Sequence, residues 1–179
     1  MKRITILVAF CLLACGVRAQ SFESMRKSFE MPKDSLPYRL HPTLPEFNIL
    51  LTDSVSVFNT KDIPTGRPAV IMFFSPDCHH FQDAMKLLLE HMDEFKGVDF
   101  YMVSNARNVS SLREFIDKYQ IASYPNIKAL GQDVDFFFIT FYGARYLPDF
   151  AVYDRHKKLV KLFESNVTVD DLVKATHTK

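Results

Sequence analysis

The chain has 179 residues and a formal net charge of +1, with 47% hydrophobic and 24% charged residues. That length fits one domain, or a domain with a tail, and can bury a sizeable core. The composition excludes a wholly disordered or collagen-like chain, and the near-zero charge gives no support for nucleic-acid binding.

Residues 1–19 read as a signal peptide. Lys2 and Arg3 form a positive start, and residues 4–14 are an apolar run too short for a comfortable membrane span. Two processing patterns compete. Val17-Arg18-Ala19 before Gln20 fits the small-residue cleavage rule, and Leu12-Leu13-Ala14-Cys15 resembles a bacterial lipobox that would acylate Cys15. Cleavage after Ala19 is preferred, because the apolar run ends cleanly before it. A retained anchor ranks third. Every route exports the protein, and the membrane is a partner only if Cys15 is lipidated. Removing three basic and no acidic residues turns the charge of +1 into about −2.

The cysteines are Cys11, Cys15 and Cys78, and the first two fall in the signal segment. The exported domain therefore holds one thiol, with no partner for an internal disulfide. A lone thiol in an oxidising compartment is either an inert core residue or a functional group.

Residues 20–46 carry Pro32, Pro37, Pro42 and Pro45 and read as an extended lead-in. Residues 47–179 form the domain. Short strands are expected at 47–51 and 55–58, and 68–74 (PAVIMFF) reads as a strand buried on both faces. Ser75-Pro76-Asp77 then reads as a helix start: Ser75 caps, Pro76 takes the first helical position and Asp77 suits the positive end. Phe81, Met85, Leu88, Met92 and Phe95 form one apolar stripe, and Gly97 ends it. A strand follows at 98–103. Ser111 to Glu114 fits a capping box for a second amphipathic helix. A short strand is expected at 126–130, while the aromatic segment 133–142 fits either helix or strand. Residues 149–153 and 159–163 flank DRHKK as a hairpin, and Thr168 with Asp171 caps a last helix. The order implies a sheet with helices on both faces.

The chemistry sits where the buried strand meets the helix. Cys78 is expected within the first helical turn, where free backbone N–H groups and the helix dipole stabilise a thiolate. Asp77 opposes that charge. His79 and His80 lie about 100° apart around the helix, so one of them at most faces the sulfur. A metal site is disfavoured, because Cys78, His79 and His80 cannot converge on one ion and the other histidines are scattered. No phosphate loop, Gly-x-Ser-x-Gly elbow or zinc motif is present.

Residues 47–176 resemble the thioredoxin-like superfamily, in particular its exported TlpA-like and AhpC/TSA-like branches. PAVIMFFSPDCHHF at 68–81 and YGARYLPDFAVYD at 142–154 carry the resemblance, together with the β-α order. It implies an α/β thioredoxin-like fold with a central mixed sheet. It identifies Cys78 with the exposed attacking cysteine of Cys-x-x-Cys, and Phe81 with the resolving cysteine, which is missing. His79 and His80 take the two middle positions, and His80 is the better candidate for tuning the thiol. Pro148 matches the family's cis-proline, and Leu147 before it the residue whose backbone pairs with a bound peptide. Asp154 matches an acidic residue at the following hairpin, whose usual glycine is absent. The peroxidatic Pro-x-x-x-Thr-x-x-Cys context is not found before Cys78.

A two-cysteine cycle attacks with one thiolate and releases the mixed disulfide with the second. Phe81 cannot perform the second step. Two functions remain, beside an intermolecular Cys78–Cys78 dimer as a third possibility. One is monothiol exchange with protein or peptide thiols and disulfides, with Cys78 as nucleophile and no cofactor. The other is a redox-inactive module that binds partners through the same docking edge and its aromatics.

Overall fold

The computed structural model describes Lys27, residues 31–165 and residues 167–178. The expected signal peptide, with Cys11, Cys15 and the Ala19 cleavage point, lies outside the described residues.

Among the described residues seven strands form one sheet: β1 (Asn48–Leu51), β2 (Val57–Asn59), β3 (Ala69–Phe74), β4 (Asp99–Ser104), β5 (Ile127–Gln132), β6 (Asp149–Tyr153) and β7 (Leu159–Glu164). Their order is β2-β1-β5-β4-β3-β6-β7. β3, β4 and β5 run parallel, and the remaining pairings are antiparallel. All six residues of β3 are buried, and so are all six of β4. Apolar runs without alternation are what a strand covered on both faces requires.

Among the described residues with full bounds, the helices that cover the sheet are α1 (Pro37–Leu40), α2 (His79–Glu90), α3 (Val109–Lys118), α4 (Phe137–Tyr142) and α5 (Val169–Thr176). Pleating sends alternate β3 side chains to opposite faces. Val70, Met72 and Phe74 pack with Phe81, Met85, Leu112, Phe115 and Leu172, from α2, α3 and α5. Ala69, Ile71 and Phe73 pack with Tyr38, Phe138 and Tyr142, from α1 and α4.

Several expectations shift. The stripe ends as a helix at Glu90, and Met92–Phe95 continues as a 3-10 turn that still buries Phe95. The second amphipathic helix is capped by Asn108, not by Ser111: Ser110 N–H donates to Asn108 Oδ1 at 3.0 Å. The Thr168 cap holds, with Asp171 N–H donating to its hydroxyl at 3.1 Å. The ambiguous aromatic segment resolves as α4, because the buried Asp133 carboxylate accepts from Phe137 N–H and Phe138 N–H at 2.8 Å each. Desolvation raises the Asp133 carboxyl above its ordinary range, and those two N–H groups pull it back.

The lead-in is not simply extended. Lys33–Ser35 forms a 3-10 turn, α1 follows, and Thr43 bridges to Lys158. Leu36 and Tyr38 enter the core, and the Leu36 side chain occupies the space a Cβ at Gly143 would need. Gly143 has φ +69 and terminates α4, so glycine there serves both backbone and packing. The lead-in thereby braces the loop that runs from Gly143 to Pro148.

Candidate functional site

β3 ends at Phe74, and the chain turns immediately. Cys78 N–H donates to Ser75 C=O at 3.1 Å. Ser75-Pro76-Asp77-Cys78 is therefore a β-turn with Pro76 at its second position, where a fixed φ near −65° is favoured. This corrects the expected helix start. α2 begins at His79, and Cys78 is its N-cap, with φ −80 and ψ 114. Ser75 does not cap it, and Cys78 is not within the first turn. Turn and helix start share the Ser-Pro-Asp signature, and the turn wins because β3 must reverse at once.

Gln82 was not singled out in the sequence, yet it fixes this turn. Its Nε2 donates to Pro76 C=O at 2.8 Å, and its Oε1 accepts from Lys118 Nζ at 3.0 Å. Gln82 N–H also donates to Cys78 C=O at 3.0 Å, the first bond of the helix. A glutamine on a helix surface carries no distinguishing pattern, so only the geometry exposes the role.

Cys78 is a free, half-buried thiol. Its Sγ faces the Leu147 carbonyl oxygen at 3.9 Å, as a weak donor. The Leu147–Pro148 peptide bond is cis. Pro148 is buried, and its C=O accepts from Ser165 N–H at 2.8 Å. The fold thus joins Cys78 and Leu147, residues 69 positions apart. The N-cap side chain makes no hydrogen bond to the helix. His79 and His80 are exposed, and among the described residues neither side chain makes a hydrogen bond or ion pair.

Position 81 is closed. Phe81 is 0% exposed, stacks on Phe74 at 4.4 Å between centroids, and lies 5.5 Å from Phe115. Phe115 continues to Tyr119 at 4.8 Å. The ring is an integral part of the aromatic core beneath α2.

The C-terminal end of the parallel strands carries exposed Val134, Phe136 and Tyr146. Phe136 has φ +55, a strained conformation for an aromatic residue. Phe138 and Tyr142 are core, whereas Phe136 is exposed, so the aromatic cluster divides between the two. A cleft of about 600 Å³ lies elsewhere, lined by Arg67, Met92, Phe95, Tyr124, Asn126 and Lys128 near the start of β3, β4 and β5. It includes neither Cys78 nor Leu147. At the hairpin, Asp154 Oδ1 accepts from His156 N–H at 2.8 Å and Lys158 N–H at 2.9 Å. Lys157, with φ +62, takes the left-handed position in that turn.

Two buried tyrosines, Tyr142 and Tyr153, share a hydroxyl contact of 2.5 Å. Burial drives both hydroxyls upward and keeps them neutral. Among the described residues no group of three or more His, Cys, Asp or Glu side chains could hold a metal ion. Nor is any helix among them long and apolar enough to cross a membrane.

No protein-family model matches the chain, and no curated protein matches it by sequence. Solved structures do match its fold. The dsbF protein of MTB, in mixed oxidised and reduced forms, has a TM-score of 0.60 at 22% identity, over 75% of this chain and 97% of that one. A secreted Mycobacterium tuberculosis disulfide oxidoreductase, homologous to E. coli DsbE, has a TM-score of 0.59 at 19% identity, over 73% and 93%. The thioredoxin domain of a thiol-disulfide oxidoreductase from Bacteroides vulgatus has a TM-score of 0.58 at 16% identity, over 80% and 94%. The chain therefore has the α/β thioredoxin-like fold, and at these identities the likeness is one of fold.

Proposed function

We propose that this is an exported thioredoxin-fold protein that forms mixed disulfides with protein or peptide partners through its one domain thiol, Cys78. The Cys78 thiolate attacks one sulfur of a partner disulfide. A Cys78–partner S–S bond forms, the partner's own S–S bond breaks, and its second sulfur leaves as a thiolate. Release then requires an outside thiol to attack the mixed disulfide, because Phe81 supplies none. Cys78 is the nucleophile, Leu147 and Pro148 form the docking edge, and His80 tunes the thiol. No cofactor takes part.

One observation carries this reading: a half-exposed sulfur 3.9 Å from the Leu147 carbonyl, at the junction of a buried strand and a helix. The structural neighbours described as disulfide oxidoreductases support the redox class. The basic start and apolar run of residues 1–19 support export to the periplasm, with a lipid anchor at Cys15 as the alternative.

A second reading has its own observation. Phe81 fills the resolving position with a packed ring, as a redox-inactive binding module would allow. The two differ in the thiol. Alkylation of Cys78 by iodoacetamide is measured in the folded protein and in urea at the same pH. A folded rate at or above the unfolded rate, with trapping of a disulfide-bonded polypeptide that Cys78→Ser abolishes, supports exchange. A thiol protected until unfolding overturns it and leaves the binding module.

A further inference from the structure

The exchange chemistry leaves one buried acid unused. Asp149 follows Pro148 directly and is 1% exposed. It lies on the same face of β6 as Ala151 and Tyr153, turned toward α1 and α4 rather than α2. Its Oδ1 accepts only a long 3.3 Å bond from Ser165 N–H, a donor whose shorter bond, 2.8 Å, goes to Pro148 C=O. Among the described residues its Oδ2 has no partner. A buried carboxylate left half-unpaired is costly as an ion.

Among the described residues, the charges that act on it are those of Glu164 and Lys33. Glu164 of β7 is its direct cross-strand partner. Lys33 of the lead-in donates to both carboxylate oxygens of Glu164, at 3.0 and 2.9 Å. The register partner on β3 is Phe73, itself stacked on Phe138 of α4, so those elements present rings and no charge there. One lysine thus serves two carboxyl groups, and it is spent on the exposed one. Desolvation pushes Asp149 up to about 7; Ser165 N–H opposes this, Glu164 adds to it, and Lys33 opposes it.

We propose that Asp149 is a positioning residue for the Leu147–Pro148 docking edge. Neutral, it leaves Ser165 N–H on the Pro148 carbonyl. Ionised, it draws Ser165 N–H to itself and repels Glu164, and the edge beside Cys78 shifts. The edge therefore answers to pH near neutrality independently of the thiol. Its meaning for exchange rests on the mixed-disulfide reading above, but the displacement itself does not.

The test follows the Ser165 and Leu147 amide resonances by ¹⁵N NMR from pH 5 to 9. They are expected to titrate with one midpoint near neutrality, in the wild type and equally in Cys78→Ser, and to stop doing so in Asp149→Asn. Glu164→Gln, at an exposed site, keeps the variant set informative if Asp149→Asn does not fold. It is expected to move the midpoint down by a few tenths of a unit, through loss of a cross-strand like charge. The Cys78 alkylation profile is expected to carry the same midpoint in the wild type and to lose it in Asp149→Asn. Flat Ser165 and Leu147 resonances, or a midpoint that survives Asp149→Asn or ignores Glu164→Gln, overturn the proposal. Titrating amides beside an alkylation-inert Cys78 leave Asp149 in its role and sink the exchange reading alone.

Discussion

Restoring a cysteine at position 81 tests both the packing and the motif alignment. Phe81→Cys removes a ring that is 0% exposed, stacked on Phe74 and tilted against Phe115. Buried Phe→Ala changes cost about 3–5 kcal/mol, and a retained sulfur places this one near ~3 kcal/mol. Domains of this kind have only about 5–15 kcal/mol in total. With a urea m-value of about 1–3 kcal/mol/M, the reduced variant should lose roughly 1–3 M in its midpoint. Oxidation should then return part of the loss. Closing a loop of about four residues contributes ~2 kcal/mol in the chain-entropy account. Urea melts with and without reductant, paired with thiol titration, measure both terms. Two thiols should become none on mild oxidation, and the oxidised form should be the more stable of the two. A reduced variant within about 0.5 kcal/mol of wild type refutes the packing argument, since surface substitutions fall in that range. Failure to form the disulfide refutes the claim that Cys78 and position 81 stand in a Cys-x-x-Cys relation.

Cys78→Ser should change stability by less than about 1 kcal/mol, because the side chain is half-buried and caps nothing, while abolishing covalent capture. Equilibrium urea melts and partner trapping check the two halves separately. Gln82→Ala removes the bond to Pro76 C=O and should cost roughly 1–2 kcal/mol. It should also speed hydrogen exchange at the Cys78 amide. Asp149 gives stability a pH slope whose sign is fixed. Its folded value, raised from 3.8 to about 7, means that the native state holds a proton which the unfolded chain has released. Its contribution is full below pH ~4 and is lost as pH rises to ~7, by up to roughly 4 kcal/mol. Melts at pH 5 and pH 8 should therefore differ by less in Asp149→Asn than in wild type, and equal differences would exclude Asp149 as the source.

Much of the sheet is legible in the sequence because its strands are apolar runs without helical period. β6 begins and ends where the hairpin pattern sets it, and β3 is misjudged by one residue at Pro68. What the sequence hides is register at the junctions. Ser75-Pro76-Asp77 suits a helix start and a turn equally, and only the Cys78 N–H to Ser75 C=O bond decides between them. Asp133 reads as a polar end of an aromatic run, yet its carboxylate starts α4. The prolines of the lead-in suggest extension, but Pro37 sits inside the first turn of α1 and lets Leu36 and Tyr38 reach the core. Cys78 stands out as the one thiol of the domain, but its pairing with Leu147 and Pro148 is legible only through the family pattern, since nothing local ties residues 69 apart. Asp149 escapes notice because an acid at a strand end is usually solvated, and its burial depends on β3 and β7 flanking it.

Under the proposed exchange reading, the position of the Leu147 carbonyl bears on which disulfides Cys78 attacks. Displacement at sulfur is near-linear, so the partner's two sulfurs must line up with Sγ. Sγ is half-buried, with the Leu147 carbonyl 3.9 Å away. In the proposed docking mode a partner chain lies over Leu147, where an extended backbone can donate an N–H to the same carbonyl. The weak thiol donor is then replaced by a stronger one, as in strand addition at a sheet edge. One such bond is worth about 1 kcal/mol, or roughly a fivefold gain in rate where it forms before the transition state. An extended peptide disulfide should therefore react faster with Cys78 than glutathione disulfide by about that factor, once each rate is divided by its rate with a free model thiol. A compactly folded disulfide protein should fall below both, because its backbone cannot lie along the edge. Stopped-flow rates for the three substrates test the ordering. Equal normalised rates for peptide and glutathione would mean that the carbonyl guides nothing, and the docking edge would have to be sought elsewhere around the thiol.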